Sequence, residues 1–383
     1  MVKLFQMDKP KIYLSSPHMG EEELLNVQEA FATNWISPAG PFIQQFEHDL
    51  ATYCGTKGAA VVQSGTAAIH LALRLLDIQQ EDLILCQSFT FIGSSNPILY
   101  EKAIPVFIDS EATTWNMCPQ ALEEAIINLN KKGKRPKAII VVHLYGMPAK
   151  MNEIMAIANR YNIPVIEDAA EALGSFIDGK ACGSFGDFGV LSFNGNKIIT
   201  TSGGGALLSN DTEALQKALF LATQAKENTP HYEHKEMGYN YRMSNIAAAI
   251  GVGQLKVLDK RVAARRANHD FYHELLSNVK GVEFLQEPQG FYSNRWLSCV
   301  LIDPAVSGVN REDLRLVLEK ENIESRPLWK PMHLQPLFES CDYFGTDFSE
   351  KLFQDGLCLP SGSNLTQEEK ERISNQLKVV FSC

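Results

Sequence analysis

The 383-residue sequence lacks several patterns that would assign it to a specialised class of protein. It has 8 cysteines, but no two of them have Cys-x-x-Cys spacing. This absence argues against a zinc ribbon or a thioredoxin-like redox pair. Scattered cysteines in a chain of this length are typical of a protein from a reducing compartment.

An excess of positive charge and long apolar runs are also missing. The formal net charge is −10, so non-specific binding to nucleic acid is not expected. No apolar run is long enough to span a bilayer, and residues 1–10 have no apolar core typical of a signal peptide. We therefore expect a cytoplasmic protein that binds neither nucleic acid nor a membrane.

Internal repeats and low-complexity segments are absent too, and short apolar runs alternate with helix-period segments instead. Apolar runs at residues 59–62, 83–86, 104–108, 138–142 and 164–166 predict strands, and segments 66–76, 119–129 and 151–161 predict helices. This alternation indicates an α/β architecture with a largely parallel sheet. Ligands of such sheets collect at the carboxyl ends of the strands.

The pattern changes in the last third of the chain. A long helical tract is predicted at residues 244–276, followed by a strand at 296–302 and helices at 311–321 and 367–380. A chain of this length is sufficient for one large core and a smaller domain. We expect a large domain at residues 1–260 and a smaller C-terminal domain at 261–383.

Two residues near the middle of the chain suggest the chemistry. Lys197 follows the apolar run 188–191 and precedes a glycine-rich stretch, and Asp168 ends a short apolar run. A lysine that attacks an aldehyde and a carboxylate that holds a pyridinium are what a pyridoxal phosphate enzyme requires. Each has an ordinary alternative, because lysines are mostly exposed and an aspartate after a strand often caps the next helix.

Candidate ligands for the cofactor's phosphate and ring lie elsewhere in the chain. The run Ser64-Gly65-Thr66 lies between a predicted strand and a predicted helix, where free backbone amides bind phosphate well. Ser192 and Asn240 are further candidate donors, and Phe91 offers an aromatic face that either stacks on a flat ring or packs in the core.

The histidines give weaker signals. His143 ends the predicted strand at 138–142, where it is either a wall of the site or an ordinary core side chain. The cluster His231-Tyr232-Glu233-His234 resembles a metal motif, but no helical pairing of its ligands supports one. No metal site is predicted.

Four runs in this order carry a resemblance to a known family: Ser64-Gly65-Thr66, residues 168–175 (DAAEALGS), 192–197 (SFNGNK) and 238–244 (GYNYRMS). The chain resembles the DegT/DnrJ/EryC1/StrS sugar aminotransferases from about residue 12 to 380. The resemblance implies a fold-type I enzyme that uses pyridoxal phosphate, with a large α/β/α domain and a smaller C-terminal α+β domain. It implies nucleotide-linked keto-sugars as substrates.

The resemblance also implies roles for single residues. Lys197 matches the Schiff-base lysine, and Asp168 matches the partner of the pyridine nitrogen. Glu171 stands where many members have glutamine near the cofactor's phenolic oxygen, which leaves the protonation state of that contact open. Three phosphate ligands of the family match Gly65, Thr66 and Ser192. Its stacking aromatic matches Phe91, and its asparagine from the other subunit of a homodimer matches Asn240.

Runs around His143, Asn194 to Lys197, Arg295 and Arg326 are similar to the bacillosamine-pathway members of the family. These enzymes aminate C4 of UDP-2-acetamido-4-keto-2,4,6-trideoxyglucose with L-glutamate as donor. On this basis, His143, Arg295, Arg326 and His333 are candidate substrate ligands. The two arginines and His333 offer charges for a pyrophosphate.

Three alternatives remain open at this point. A related enzyme would act on a GDP- or dTDP-linked sugar or at another ring position. A sugar dehydratase of the same family would carry histidine at the lysine position, so Lys197 argues against it. A non-catalytic paralogue on the same fold would not be expected to retain both Lys197 and Asp168.

Overall fold

The computed structural model describes residues 9–382. Most of the segment used for the signal-peptide prediction, residues 1–10, and the last residue, Cys383, lie outside this range. Within the described range, the chain forms three sheets and a set of helices that cover them.

The strands have the following bounds: β1 Gly58–Val62, β2 Leu83–Gln87, β3 Ile104–Ile108, β4 Ala138–Val142, β5 Val165–Asp168, β6 Phe176–Ile177, β7 Lys180–Ala181, β8 Phe188–Ser192, β9 Gly205–Ser209, β10 Val282–Phe284, β11 Phe291–Tyr292, β12 Ser298–Ile302, β13 Arg326–Pro327, β14 Tyr343–Phe344 and β15 Gly356–Leu359.

The α-helices have the following bounds: α1 Glu22–Ala32, α2 Pro41–Cys54, α3 Gly65–Leu75, α4 Asn96–Tyr100, α5 Pro119–Lys131, α6 Met151–Tyr161, α7 Thr212–Ala222, α8 Asn245–Lys256, α9 Leu258–Leu276, α10 Pro304–Ser307, α11 Arg311–Lys320, α12 Phe348–Asp355 and α13 Gln367–Phe381. Short 3-10 helices occupy Leu144–Gly146, Met332–Leu334 and Pro336–Phe338.

The large sheet has 8 strands in the order β1-β9-β8-β5-β4-β2-β3-β14. Its neighbours are parallel from β8 to β14, and β9 alone runs antiparallel to both of its neighbours. The predicted mainly parallel α/β sheet is therefore confirmed. Because the strands run the same way, β1, β2, β4, β5 and β8 all end at one edge, where the candidate residues follow them.

Helices cover both faces of this sheet. Alternate side chains of β1 point to opposite faces, so that Ala60 and Val62 pack with α3 and α7, while Val61 packs with α2 and α8. Helices α5 and α6 cover the same face as α2 further along the sheet. The result is a three-layer α/β/α arrangement, as the sequence predicts.

The last part of the chain builds a second core. An antiparallel sheet in the order β10-β12-β15-β13 packs against α9, α11 and α13. The predicted helical tract at 244–276 is two helices, α8 and α9, separated at Val257. A domain boundary near residue 260 stays a prediction, since β14 returns to the edge of the large sheet beside β3.

Within residues 9–382, no helix has both the length and the apolar character needed to cross a membrane. In the same range, no group of three or more histidine, cysteine or acidic side chains is placed to hold a metal ion.

Candidate active site

A cavity of about 220 Å³ opens at the carboxyl edge of the large sheet. Residues from three of the four family runs line it together with Phe91: Ser64, Gly65, Thr66, Phe91, Asp168, Glu171, Ser192, Asn194, Asn196 and Lys197. The structure therefore brings together the candidate lysine, the candidate carboxylate and the candidate phosphate-binding run Ser64-Gly65-Thr66. These residues are far apart in sequence and meet because the strands before them end at the same edge of one sheet.

Lys197 is not a surface lysine, because only 11% of its side chain is exposed. It lies in the turns after β8, and its amine has two neighbours. The Nζ atom is 3.2 Å from Oε1 of Glu171 and 4.4 Å from the centre of the Trp296 ring. The amine is thus held between a carboxylate and an aromatic face, inside the cavity.

Glu171 is a buried acid beside the Lys197 amine. Its Oε2 atom accepts a hydrogen bond from the backbone amide of Tyr145, and the side chain is only 4% exposed. Burial raises the pKa of the Glu171 carboxyl above its ordinary value, and the nearby Lys197 charge only partly opposes this effect. The carboxyl can therefore retain a proton at a pH where an exposed glutamate would be ionised.

Asp168 is the last residue of β5, and its carboxylate lines the same cavity. Oδ2 accepts a hydrogen bond of 2.6 Å from Ser94, and Oδ1 accepts one from the amide of Ala170. The alternative of a helix N-cap is wrong, because residues 169–173 form turns and not a helix. The Asp168 side chain is instead fixed at the cavity wall by two donors.

The candidate phosphate-binding run, Ser64-Gly65-Thr66, lies at the N-terminus of α3. The Ser64 side chain is the N-cap and accepts from the amide of Ala67, which leaves the earlier amides of the helix without partners inside it. A Cβ atom at Gly65 would lie 3.2 Å from the Cβ of Ser192, so glycine permits the close approach of these two segments. A helix N-terminus between serine and threonine hydroxyls suits a phosphate.

Three aromatic side chains form walls of the cavity. Phe91 is 49% exposed and packs against Trp329, with ring centroids 5.3 Å apart. Trp296 lies beneath the Lys197 amine. The two tryptophans were missed by reasoning from the sequence, although they belong to the runs that contain Arg295 and Arg326. Ser94 was missed as well, since nothing in its local pattern links it to Asp168.

His143 and Arg295 do not line this cavity. His143 is fully buried: Nε2 is 2.9 Å from Glu167, and Nδ1 accepts from the amide of Ala149. Arg295 donates to the carbonyl oxygen of Leu285 and lies close to Glu287. In both residues the polar atoms are turned into the protein, so the structure does not place them as substrate ligands.

Arg326, His333 and Asn240 also lie outside the cavity. The Arg326 side chain is 65% exposed and paired with Glu324. His333 forms a hydrogen bond through Nδ1 with the hydroxyl of Ser88, and its ring stacks on Tyr343 at a centroid distance of 3.8 Å. Asn240 is exposed and accepts from Gln224, and so its predicted contact with the cofactor of another subunit stays a prediction.

The cavity residues fit pyridoxal phosphate. One cavity contains a primary amine, a carboxylate held by Ser94, a helix N-terminus with adjacent hydroxyls, and aromatic walls. These groups match, in order, an aldehyde, a pyridinium nitrogen, a phosphate and a flat ring. No part of the lining conflicts with that assignment.

Comparisons with known proteins agree with this description. The model of the "DegT/DnrJ/EryC1/StrS aminotransferase family" matches residues 17–378. The Bacillus subtilis protein EpsN, whose name describes a pyridoxal phosphate-dependent aminotransferase, is 53% identical over 375 residues, which are 97% of this chain and 96% of EpsN. A GDP-perosamine synthase of Caulobacter vibrioides is 37% identical over 377 residues, 98% of this chain and 99% of the relative.

A solved structure supports the fold. The crystal structure of a DegT DnrJ EryC1 StrS aminotransferase from Brucella abortus superposes with a TM-score of 0.88 at 30% identity, covering 94% of this chain and 96% of the other. The predicted fold class and the predicted cofactor are confirmed at the level of the family, whose members use pyridoxal phosphate. The chain is a member of the DegT/DnrJ/EryC1/StrS family of sugar aminotransferases.

Proposed function

We propose that this protein transfers the amino group of L-glutamate to C4 of a nucleotide-linked 4-keto-6-deoxy sugar. The first candidate acceptor is a UDP-2-acetamido-4-keto-2,4,6-trideoxy-hexose. The observation that carries the transfer chemistry is the joint placement of Lys197, Asp168 and the α3 N-terminus around one cavity. Pyridoxal phosphate, when bound, supplies an aldehyde that condenses with amines and a ring that accepts electrons from the donor's Cα.

Three residues of the cavity have separate roles in this amino transfer. The Lys197 amine, nearly enclosed in the cavity, would hold the cofactor through its aldehyde and would serve as the base that carries the proton leaving the donor Cα. Asp168, oriented by Ser94, would hold the proton on the ring nitrogen of the cofactor. Glu171 lies beside the lysine and accepts a hydrogen bond from its amine, and when protonated it would be able to donate to the phenolic oxygen of the cofactor.

The identity of the sugar is supported by the runs that resemble the bacillosamine-pathway enzymes. Three of them contribute cavity walls: Asn194 and Asn196 from one, Trp296 from the second and Trp329 from the third. A fourth contributes Tyr145, whose hydroxyl accepts from the amide of Trp329. Three of the runs that suggest the acceptor therefore contribute side chains to the cavity wall.

A GDP-linked acceptor is the second candidate. It is favoured by the 37% identity with a GDP-perosamine synthase over nearly the whole of both chains. An assay with L-glutamate and UDP-, GDP- and dTDP-linked 4-keto sugars, followed by release of 2-oxoglutarate, separates the candidates. Fastest turnover of the UDP compound supports the first, and faster turnover of the GDP compound contradicts it in favour of the second.

We also propose a homodimer with shared active sites. Large apolar side chains are exposed on α1 and just after it, including Leu24 at 65%, Phe31 at 61% and Trp35 at 47%. Exposed apolar clusters of this kind are typical of subunit interfaces. Lys197 is the only basic side chain that lines the cavity among the described residues, so further charges for a nucleotide would come from a second copy. Asn240 and the exposed Arg326 are our candidates for such contacts.

A further inference from the structure

Arg265, on α9, is a buried guanidinium without an acidic partner. It is 1% exposed, and among residues 9–382 no carboxylate oxygen lies within 4.0 Å of its nitrogen atoms. Burial, together with the charge of Arg261, lowers the pKa of Arg265 to about 9, so the guanidinium is still charged at neutral pH. An unpaired buried charge is costly, and its retention needs a reason.

The hydrogen bonds of Arg265 join three distant segments. Nη1 donates to the carbonyl oxygen of Trp296 at 2.5 Å. Nη2 donates to the hydroxyl of Ser15 at 2.9 Å and to the carbonyl oxygen of Lys197 at 3.4 Å. The guanidinium thus ties the backbone of the candidate catalytic lysine to the backbone of the tryptophan beneath its amine.

Trp296 is fixed at every polar group that it has. Its amide donates to Oδ1 of Asn294 at 2.8 Å, and its indole Nε1 donates to the carbonyl oxygen of Asn196 at 2.8 Å. Its carbonyl oxygen accepts from Arg265. The hydroxyl of Ser15 donates to the same Asn196 oxygen at 2.7 Å, which closes a ring of hydrogen bonds around the lysine turn.

The loop before Trp296 fixes the position of the indole ring. Arg295 has a φ of 50°, a left-handed conformation that is unfavourable for arginine. Asn294 is fully buried and also donates to the carbonyl oxygens of Glu171 and Leu173. The segment that carries the Trp296 ring is therefore held against the backbone of Glu171, the other neighbour of the Lys197 amine.

We propose that Arg265 is a positioning residue, which holds the Trp296 ring and the Lys197 backbone so that the Lys197 amine meets the cofactor aldehyde. The inference rests on the proposed function, since it needs Lys197 to bind pyridoxal phosphate covalently. Arg265 touches neither substrate nor cofactor and acts through Trp296. A displacement of about 1 Å at a reacting group costs on the order of 10²-fold in rate, so loss of this tie has a measurable effect.

The test compares two ligands that differ at one group. Pyridoxal phosphate reacts with the Lys197 amine, whereas pyridoxamine phosphate occupies the same cavity and cannot. The cofactor-free protein is mixed with each, and covalent capture is followed by absorbance and pyridoxamine phosphate binding by calorimetry. The variants are Arg265→Met and Arg265→Lys. Arg372→Met is the matched control, because Arg372 also donates to two backbone carbonyls, those of Pro10 and Glu321, away from the cavity.

We expect Arg265→Met to slow covalent capture by about ten- to a hundred-fold, with the affinity for pyridoxamine phosphate little changed. Arg265→Lys, which keeps the charge and one or two donors, recovers part of the rate. Arg372→Met captures like the wild type. Unchanged capture in Arg265→Met, or an equal loss with both ligands, overturns the proposal. If the wild type itself captured no pyridoxal phosphate, the proposed function would fail and this inference with it.

A double-mutant cycle tests the route through Trp296 and does not depend on the stability of Arg265→Met alone. Trp296→Leu removes the ring beneath the amine. If Arg265 acts through that ring, Arg265→Lys slows capture much less in the Trp296→Leu background than in the wild type. Fully additive losses would show that Arg265 acts independently of Trp296 and would overturn the proposal.

Discussion

The Lys197 amine lies 3.2 Å from the Glu171 carboxylate, whose other oxygen is held by the amide of Tyr145. A second lysine–glutamate pair, Lys150 and Glu111, lies outside the cavity at 2.8 Å. The two pairs differ in the pKa of the acid. Burial raises the pKa of Glu171, whereas hydrogen bonds from Lys150 and Thr114 outweigh burial at Glu111 and lower its pKa.

We predict that the free energy of unfolding of Glu171→Gln rises relative to that of the wild type as pH increases above 4.5, the ordinary pKa of glutamate. Because the folded-state pKa of Glu171 is raised, the native wild type binds more protons than the unfolded chain in this window. Its free energy of unfolding therefore falls as pH rises through the folded pKa, and glutamine removes that loss. Urea unfolding of the cofactor-free protein at several pH values measures the difference.

Glu111→Gln is the control with the opposite sign. The lowered pKa of Glu111 gives a stabilisation that is fully present above its unfolded pKa of 4.5 and is lost as pH falls through the folded pKa. This variant is therefore less stable than the wild type at neutral pH, and the difference shrinks in acid. The same pH trend in both variants would contradict the assigned environments.

Asp168→Asn is expected to slow the glutamate half-reaction on the order of 10²-fold, the scale for losing one preorganised electrostatic partner. An amide still accepts from Ser94 and so preserves much of the geometry, but it carries no charge to hold a proton on the ring nitrogen. Single-turnover absorbance with glutamate gives the rate. Asp187→Asn is the matched control, because Asp187 accepts from the amide of Val165 outside the cavity. Equal rates in the two variants would remove Asp168 from the chemistry.

Shared active sites predict recovery of activity in mixed dimers. Lys197→Ala and Asn240→Ala subunits are inactive or weak alone, yet a hybrid places both lesions in one site and leaves the other intact. Co-refolded mixtures should regain part of the wild-type turnover. Lys197→Ala mixed with Ser192→Ala is the control, since these two residues line the cavity of the same chain and each site keeps one lesion. No gain over this control would show that Asn240 does not cross the interface.

The sequence patterns correctly predicted several individual strands and helices, whose positions depend on local residue order. The apolar runs at β3 and β4 and the helix period of α6 agree with the structure to the residue. The reversed direction of β9, the break at Val257 and the return of β14 to the large sheet were not predicted. The direction of β9 and the position of β14 depend on strand pairing between distant segments, which no local periodicity contains.

The candidate site shows the same division. Asp168 was found because it ends β5, and Lys197 because it follows β8, and both strands end at the ligand-binding edge of the sheet. The runs around Arg295 and Arg326 were also identified, but their tryptophans, Trp296 and Trp329, line the cavity and the arginines do not. Arginine was preferred from the sequence because its charge suits a pyrophosphate. Which side chain of a loop faces a cavity depends on backbone angles, such as the positive φ of Arg295, and on distant partners such as Leu285.

Covalent trapping at Lys197 is the most direct test of the proposed chemistry. The protein is loaded with pyridoxal phosphate, reduced with borohydride, digested and mapped by mass spectrometry, with and without prior addition of L-glutamate. We predict a phosphopyridoxyl group on Lys197 alone, which is lost when glutamate is added first, because the amine is then released from the cofactor. A label on another lysine, or a label at Lys197 that glutamate does not prevent, would contradict the assignment of Lys197 as the catalytic amine.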